Sequence, residues 1–383
     1  MPLLSPADAA YAASHVYNIM NETDVELFGS GLNSKFDIPT SSRFQGTAGA
    51  MMFKYSSGFG LAVKGKGPYK DEALIMVRGT VDFLRDLVLT DGNIGLKRSA
   101  TGNTVHAGFF NVFQSFEDDL TEFFRGYHPK RVHCVGHSLG GALATMVAEW
   151  ISHNEVSQPT LYTFGSPRVG FEGFASSLTR QLGEENIFRT YHRTDVVSMV
   201  PIWPFLHVPL PGVECFINSP GLVPGISYHK MDSYVNSVSG AESWDSLRQR
   251  QSDLGLDKEV ENWLSSDSLV TLTTNTIYLV EQALVYIVKK ILYLTGIAFQ
   301  GLIIGGLTVL DRLAMAIEKA VQISKQIGEY VLGLIRKIAS ALGIVIEETK
   351  NITADLIRWI LRKFAEAVYR LAKEALRIVH IRI

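Results

Sequence analysis

The pentapeptide Gly136-His-Ser-Leu-Gly140 holds a serine between two glycines at the end of a short apolar run. This pattern is typical of a nucleophile elbow, in which the serine occupies a strained turn between a strand and a helix and small residues must flank it. Residues 131–135 favour the strand, and residues 141–151 favour the helix because they contain good helix formers and no proline. We predict that Ser138 is a nucleophile; the alternative is a buried serine in an ordinary glycine-rich turn.

A carboxylate must accompany such a serine. A neutral hydroxyl attacks poorly unless an imidazole takes its proton and a carboxylate orients that imidazole. In esterases with this elbow, the acid and then the histidine follow the serine along the chain. Asp195 follows Ser138 by 57 positions and closes the strand-like segment 187–191, so we predict that it is the acid. An ordinary turn residue is the alternative for Asp195, with Asp232 as the substitute acid.

Three histidines beyond Asp195 are candidates for the base. His229 lies at the end of a loop that contains glycine and proline, and a predicted helix follows it. Because such a position is mobile but can be anchored, we predict that His229 is the base. His207 stays the alternative, although it lies only 12 positions after Asp195 in a proline-rich stretch. His380 lies in a separate C-terminal segment and is set aside.

Attack on a carbonyl also needs an oxyanion hole. Each preorganised donor is worth roughly 3 to 4 kcal/mol in the transition state. The backbone N–H of Leu139, directly after the nucleophile, is one predicted donor. Thr80, in the tight segment Arg78-Gly-Thr80, is the second because it offers both an N–H and a hydroxyl. Residues 81–89 mix acids with apolar side chains and are either a lid over an acyl site or an ordinary surface helix.

The order of predicted elements indicates the fold class. From about residue 58 onward, strand-like segments alternate with helical ones. One amphipathic helix is expected over 105–125, and strands are expected at 58–64, 73–77, 131–135, 160–164 and 187–191. Such alternation favours a mostly parallel sheet flanked by helices, an α/β fold. Reactive groups collect at the carboxyl ends of such strands, which would bring Thr80, Ser138 and Asp195 together.

Charge changes along the 383-residue chain. Residues 1–264 hold 21 Lys and Arg against 28 Asp and Glu, and residues 265–383 hold 15 against 10, so the formal charges are about −7 and +5. Length and charge together predict two domains, with the boundary after Leu264. The two cysteines, Cys134 and Cys215, do not suggest a disulfide framework.

Several separate blocks of sequence carry a family pattern: Ile75-Met-Val-Arg-Gly-Thr80, Val105-His-Ala-Gly-Phe109, the elbow Gly136–Gly141, and Thr163-Phe-Gly-Ser-Pro-Arg-Val-Gly170. Together they make the chain resemble the class 3 lipases, the fungal-type lipases with an α/β-hydrolase fold. In the resemblance, Arg193–Pro201 matches the family's acid segment and His229–Tyr234 its histidine segment. It covers about residues 5–240, whereas residues from about 265 onward have no counterpart in the fungal members.

The resemblance implies a serine hydrolase that cleaves carboxylic ester bonds of lipids, a lipase or a phospholipase of the A type, through an acyl-enzyme on Ser138. The first domain is more similar to bacterial members without a signal peptide, some of which are antibacterial effectors of type VI secretion. That similarity implies an immunity protein or a secretion-system carrier as partners, besides a lipid or phospholipid substrate. The N-terminal residues lack a signal-peptide pattern, so we expect synthesis in the cytoplasm and non-classical export.

The C-terminal segment, predicted to be all helical, has a membrane-like composition. Residues 291–310 carry no charge over 20 positions, a length that could span a hydrocarbon core of about 30 Å, and they include Gly301-x-x-x-Gly305. Residues 313–345 and 356–375 repeat apolar side chains every three or four positions. Residues 350–383 hold eight basic against three acidic residues, which favours an anionic surface. The segment is predicted to be either a soluble bundle or a membrane-docking region.

Two functions therefore stay open at the level of sequence. The first is lipid ester hydrolysis, with the C-terminal helices docking the enzyme at a membrane. The alternative is a membrane-active or partner-binding toxin in which those helices carry the main activity. No metal cluster, dinucleotide loop or nucleic-acid module occurs in the sequence, so neither function calls for a cofactor or a nucleic-acid partner.

Overall fold

The computed structural model describes residues 2–18, 32–37, 43–48, 55–79, 95–210, 212–217, 226–250, 256–295, 309–346 and 352–379. Within these residues, a large sheet carries helices on both faces, and helices of the C-terminal segment pack against the turns Val196–Met199 and Ile226–His229.

Eleven strands occur among the described residues. In chain order they are β1 (Phe36–Asp37), β2 (Arg43–Ala48), β3 (Tyr55–Gly65), β4 (Glu72–Val77), β5 (Leu96–Arg98), β6 (Thr104–His106), β7 (Arg131–His137), β8 (Gln158–Phe164), β9 (Ile187–His192), β10 (Val213–Ile217) and β11 (Arg248–Arg250). β5 and β6 form a separate hairpin, and the others form one nine-stranded sheet in the order β1-β3-β4-β7-β8-β9-β10-β11, with β2 beside β3.

The centre of the sheet is parallel and its margins are antiparallel. β4, β7, β8, β9 and β10 run parallel, whereas β3 pairs antiparallel with β4 and β11 pairs antiparallel with β10. The prediction of a mostly parallel sheet is therefore right for the centre and wrong for the margins. The connection 66–71 between β3 and β4 is too short for the crossover that parallel strands require.

Helices alternate with the central strands. In chain order they are α1 (Pro6–His15), α2 (Ala107–Gln114), α3 (Glu117–Phe124), α4 (Leu139–His153), α5 (Glu172–Leu182), α6 (Met231–Val238), α7 (Leu256–Ser265), α8 (Thr274–Thr295), α9 (Val309–Ile323), α10 (Lys325–Leu342) and α11 (Ala354–Val379). Two short 3₁₀ turns adjoin the predicted acid and base: Val196–Met199 directly follows Asp195, and Ile226–His229 ends in His229.

The sheet is the middle of three layers. On one face, α4 is buried over almost its whole length and packs against β7 and β8, in a cluster that also holds α2. On the other face, α1 and α6 contribute to a second apolar cluster. This layering is that of an α/β fold, and it leaves the carboxyl ends of the parallel strands as the edge where loops can converge.

The single helix predicted over 105–125 is wrong. The chain there forms the end of β6, then α2 and α3 as two separate helices. The first helix stops where the hydroxyl of Ser115 donates to the carbonyl oxygen of Val112 over 2.6 Å and Phe116 takes φ −128°. Phe113 and Phe116 on either side of the break are both buried, and their rings pack edge to face with centroids 5.6 Å apart.

The C-terminal helices share one hydrophobic cluster with the sheet and α4. α7 packs against α8 and α10, and α9, α10 and α11 pack against one another. The domain boundary after Leu264 falls within the last turn of α7 and stays a prediction. None of the helices in the described ranges is long and apolar enough to cross a membrane, and residues 296–308 of the uncharged stretch lie outside those ranges.

Acidification should weaken this fold through His106, which is buried and accepts a hydrogen bond on Nδ1 from the N–H of Gly108 over 3.0 Å. Burial lowers the pKa of His106 from 6.5 to about 4. Because the unfolded chain takes up the proton first, the stabilisation is complete above pH 6.5 and is lost as the pH falls towards 4. The loss is at most about 1.4 kcal/mol per pH unit.

His106→Asn is the matched control for this effect, because its Oδ1 can accept from the same N–H and does not titrate. Urea titrations at several pH values should give a smaller slope of unfolding free energy against pH for the variant than for the unaltered protein. Equal slopes would contradict the assignment.

Candidate active site

Ser138 occupies the sharp turn between β7 and α4 with φ 57° and ψ −132°. A residue with a side chain rarely adopts this backbone conformation, so the surrounding structure must hold Ser138 in it. The flanking glycines make this possible: a Cβ on Gly136 would lie 2.1 Å from the carbonyl oxygen of Gly140, and a Cβ on Gly140 would lie 2.2 Å from that of Val77. The spacing of glycines in the sequence is therefore a packing requirement of the turn that presents the serine.

A chain of hydrogen bonds joins Ser138, His229 and Asp195. His229 Nε2 lies 2.8 Å from Ser138 Oγ, and His229 Nδ1 lies 2.9 Å from Asp195 Oδ2. Because an ionised carboxylate only accepts, Nδ1 carries the proton and Nε2 accepts the hydrogen of the serine. The histidine and the aspartate are fully buried, and Ser138 is 3% exposed. The structure thus brings together the three residues predicted from the sequence.

The carboxylate of Asp195 has two further donors. The hydroxyl of Tyr234 donates to Oδ2 over 2.6 Å, and the N–H of Val197 donates to Oδ1 over 2.9 Å. Burial would raise the pKa of Asp195, but the attraction of His229 and these hydrogen bonds outweigh burial and lower it. Gly165 makes room, since a Cβ there would lie 2.5 Å from Oδ2. Asp195 is therefore ionised at neutral pH and can stabilise a charged imidazole.

The main chain of His229 is fixed as well. His137 Nε2 donates to the carbonyl oxygen of His229 over 2.8 Å, which leaves His137 Nδ1 to accept from the hydroxyl of Tyr17 over 2.8 Å. The ring of His137 packs against that of His229, with centroids 4.9 Å apart. These contacts tie the elbow and the segment after α1 to the turn that holds the histidine.

Tyr17, His137 and Tyr234 were missed by reasoning from sequence. His137 had a signal, since it lies inside the elbow pentapeptide, and Tyr234 follows His229 by five positions on the next helix. Tyr17 lies 121 positions before Ser138, so no local pattern could have connected it with the site.

The alternative candidates lie elsewhere. His207 is half-buried and its Nε2 accepts from the guanidinium of Arg189 over 2.8 Å. Burial and the charges of Arg189 and Arg168 lower the pKa of His207 well below its usual range. Asp232 is exposed in the first turn of α6, and His380 is outside the described residues.

The described residues include only one of the two predicted donors of the oxyanion hole. Leu139 is the first residue of α4, so its N–H has no partner within the helix and lies at the positive end of the helix dipole. Thr80 and the segment 81–89 lie outside the described residues, so the second donor and the lid stay predictions. The chain just before Thr80 runs along the elbow, because a Cβ on Gly79 would lie 3.5 Å from the amide nitrogen of Gly140.

Other reactive groups are few in the described ranges. These ranges contain no group of three or more His, Cys, Asp and Glu side chains that could hold a metal ion. Cys134 and Cys215 are buried thiols without a disulfide, and burial raises the pKa of Cys215 to about 12. Chemically, the hydrogen-bonded chain can move the proton of Ser138 to His229 as Oγ attacks an electrophilic carbon, while Asp195 stabilises the resulting imidazolium.

Comparison with known proteins matches residues 74–205 to the class 3 lipases. The chain is similar to secreted mono- and diacylglycerol lipase 1 of Fusarium solani, with 33% identity over 138 residues that cover 34% of this chain and 40% of that protein. It is similar to phospholipase A1-II 1 of Oryza sativa subsp. japonica, with 29% identity over 203 residues that cover 45% of this chain and 51% of that protein.

A third relative is toxin TseL of Vibrio cholerae, with 32% identity over 127 residues that cover 31% of this chain and 19% of the toxin. The chain thus spans about half or less of the length of these relatives. Among solved structures, the LIP2 lipase of Yarrowia lipolytica superposes with a TM-score of 0.43 and 21% identity, over 58% of this chain and 82% of that chain.

Tyr234→Phe tests the support of the acid. Without the hydroxyl, the Asp195 carboxylate loses one donor, so it should stabilise the imidazolium less well and Ser138 should react more slowly. We expect the rate of phosphonylation of Ser138 by a small fluorophosphonate to fall about tenfold, the effect of losing one hydrogen bond to a buried charge. The melting temperature controls for folding, and an unchanged rate would show that Tyr234 does not support the reaction.

Proposed function

We propose that this chain hydrolyses carboxylic ester bonds of lipids through an acyl-enzyme on Ser138, and its match to the class 3 lipases over residues 74–205 supports this proposal. The observation that carries the proposal is the hydrogen-bonded chain Ser138–His229–Asp195 on a strained elbow turn. Such an arrangement has one clear chemical use, which is to turn a serine hydroxyl into a nucleophile.

In the acylation step, Oγ of Ser138 attacks the ester carbonyl as Nε2 of His229 takes its proton. Asp195 keeps Nδ1 protonated and stabilises the imidazolium that forms. The N–H of Leu139 donates to the oxyanion of the tetrahedral intermediate, with Thr80 as the proposed second donor. The imidazolium then gives its proton to the leaving alcohol, and the acyl group stays on Ser138.

In the deacylation step, the same residues act on water. Nε2 of His229 takes a proton from a water molecule as that water attacks the acyl-enzyme, and the oxyanion again lies at the N–H of Leu139. The collapse of the second intermediate returns the proton to Ser138 and releases a fatty acid. Each acyl transfer therefore uses the histidine once as base and once as acid.

A lipid rather than a small dissolved ester is the proposed substrate. The relatives named as a mono- and diacylglycerol lipase and as a phospholipase A1 support this class. The activity would be that of a lipase or a phospholipase of the A type. Similarity to a protein named as a toxin supports a role as an exported effector, with an immunity protein or a secretion-system carrier as the partner.

The C-terminal helices are proposed to dock the enzyme on a lipid surface. Among the described residues, six of the seven large exposed apolar side chains belong to this segment: Leu269, Tyr293, Met315, Ile323, Val345 and Trp359. Exposed apolar side chains next to a basic sequence suit the interface of an anionic membrane. The formal charge of about +5 over 265–383 supports the same occupant.

Removal of the nucleophile tests the mechanism. Ser138→Ala and His229→Ala should each lower the turnover of a p-nitrophenyl ester by about 10⁴-fold or more, because the members of such a triad act as a unit. His207→Ala is the matched histidine control and should keep most of the activity, since His207 contacts Arg189. Retained activity in Ser138→Ala would overturn the mechanism, and loss only in His207→Ala would reassign the base.

Vesicle binding tests the docking surface. The full chain should co-sediment with vesicles of phosphatidylglycerol, and the double variant Ile323→Asp/Trp359→Asp should bind at least about tenfold more weakly, since each large apolar side chain contributes roughly 1.5 to 3 kcal/mol when buried. Leu3→Asp is the control, because Leu3 is exposed but lies outside the C-terminal segment. Equal binding of all three proteins would count against the proposed surface.

A further inference from the structure

The hydrogen-bonded chain is closed to a substrate of lipid size. Ser138 is 3% exposed, and His229 and Asp195 are fully buried. Attack requires the ester carbon to come within about 3 to 3.5 Å of Oγ. Because Ser138 is so little exposed, the structure must open around it before a bulky ester can react.

α11 rests on both turns that carry the site. It packs against the 3₁₀ turn Ile226–His229, which ends in the histidine, and against the turn Val196–Met199, which begins directly after Asp195. Ile360, Phe364 and Val368 of the helix are fully buried and belong to the same extended hydrophobic cluster as Val197 of the second turn.

An ion pair fastens the same layer of helices. Arg168, in the loop after β8, makes two hydrogen bonds of 2.6 and 2.7 Å to the carboxylate of Glu281 on α8. The guanidinium also donates to the carbonyl oxygens of Met199 and Pro201 over 2.8 and 3.0 Å. The two charged side chains are only 12% and 5% exposed, so water screens the pair little. The segment that follows Asp195 is thereby tied to α8.

A second, weaker tie lies nearby. Arg193, two positions before Asp195, donates to the amide oxygen of Asn275 in the first turn of α8 over 3.0 Å. Both polar ties thus run from α8 to the chain around the acid, and α11 contacts the chain around the base.

We infer that the helices α8 and α11 form an inhibitory cover over Ser138. The Arg168–Glu281 pair holds this cover closed, and the cover must lift before a lipid ester can enter. This inference rests on the proposed function for its purpose, because it concerns access to the same serine. A cover that is closed most of the time lowers the apparent reactivity of Ser138 by the fraction of molecules that are open. Weakening the pair should raise that fraction.

Thiol accessibility tests the cover without relying on catalysis. In Ser138→Cys, the rate of alkylation by iodoacetamide reports access to position 138. Adding Glu281→Gln, which keeps the shape of the side chain and removes its charge, should raise this rate about tenfold or more, as a shifted open population requires. Asn275→Ala should raise it by a smaller factor. Cys134 and Cys215 are buried and should stay unreacted in every folded variant.

The matched control is Asp311→Asn, which removes the 2.9 Å ion pair with Arg358 between α9 and α11, inside the helical layer. It should leave the alkylation rate at position 138 unchanged. If Glu281→Gln makes Cys134 reactive as well, the variant has unfolded, and Asn275→Ala then decides. Rates equal to that of Ser138→Cys alone in folded Glu281→Gln and Asn275→Ala would overturn the cover.

The failure of the proposed function would look different. A wild-type chain that does not hydrolyse a p-nitrophenyl ester, even in the Glu281→Gln background, would contradict the enzyme. The alkylation rates at position 138 would still decide whether the helices cover the site.

Discussion

The buried charge of Asp195 is the constraint on which the rest of the site depends. A carboxylate removed from water is costly unless hydrogen bonds and an opposite charge replace the lost hydration. The side chains of His229 and Tyr234 and the N–H of Val197 supply that replacement. Because the donors come from two different turns and one helix, the carboxylate also fixes where those elements meet.

The position of the Asp195 carboxylate determines the orientation of the His229 imidazole. Nδ1 of His229 must donate to the carboxylate, so Nε2 is left to accept from Ser138. The glycines of the elbow then allow the serine to reach that nitrogen in a conformation that few residues adopt. The helical layer closes on the same two turns, which joins the geometry of the site to its access.

Much of this could be predicted from the sequence, for identifiable reasons. The elbow pentapeptide predicts its own strand, turn and helix because close packing demands glycine at fixed positions. The order of serine, acid and histidine along the chain then narrows the partners of Ser138 to a few residues. Tyr17 and Tyr234 could not be found this way, because a single hydroxyl that supports a buried group leaves no periodic or spaced pattern. The antiparallel margin of the sheet depends on the length of a connection, and the break between α2 and α3 depends on one serine hydroxyl. Average residue propensities include neither effect.

The most direct test of the central claim is to trap the acyl group during lipid hydrolysis. Turnover of a phospholipid or diacylglycerol would be quenched with acid, and the tryptic fragment 132–168, which contains Ser138, would be analysed by mass spectrometry. We expect this fragment to gain the mass of the fatty acyl group, fragmentation to place the group on Ser138, and the added mass to be missing in His229→Ala. Continued hydrolysis with no adduct on Ser138, or with the acyl group on another residue, would contradict it.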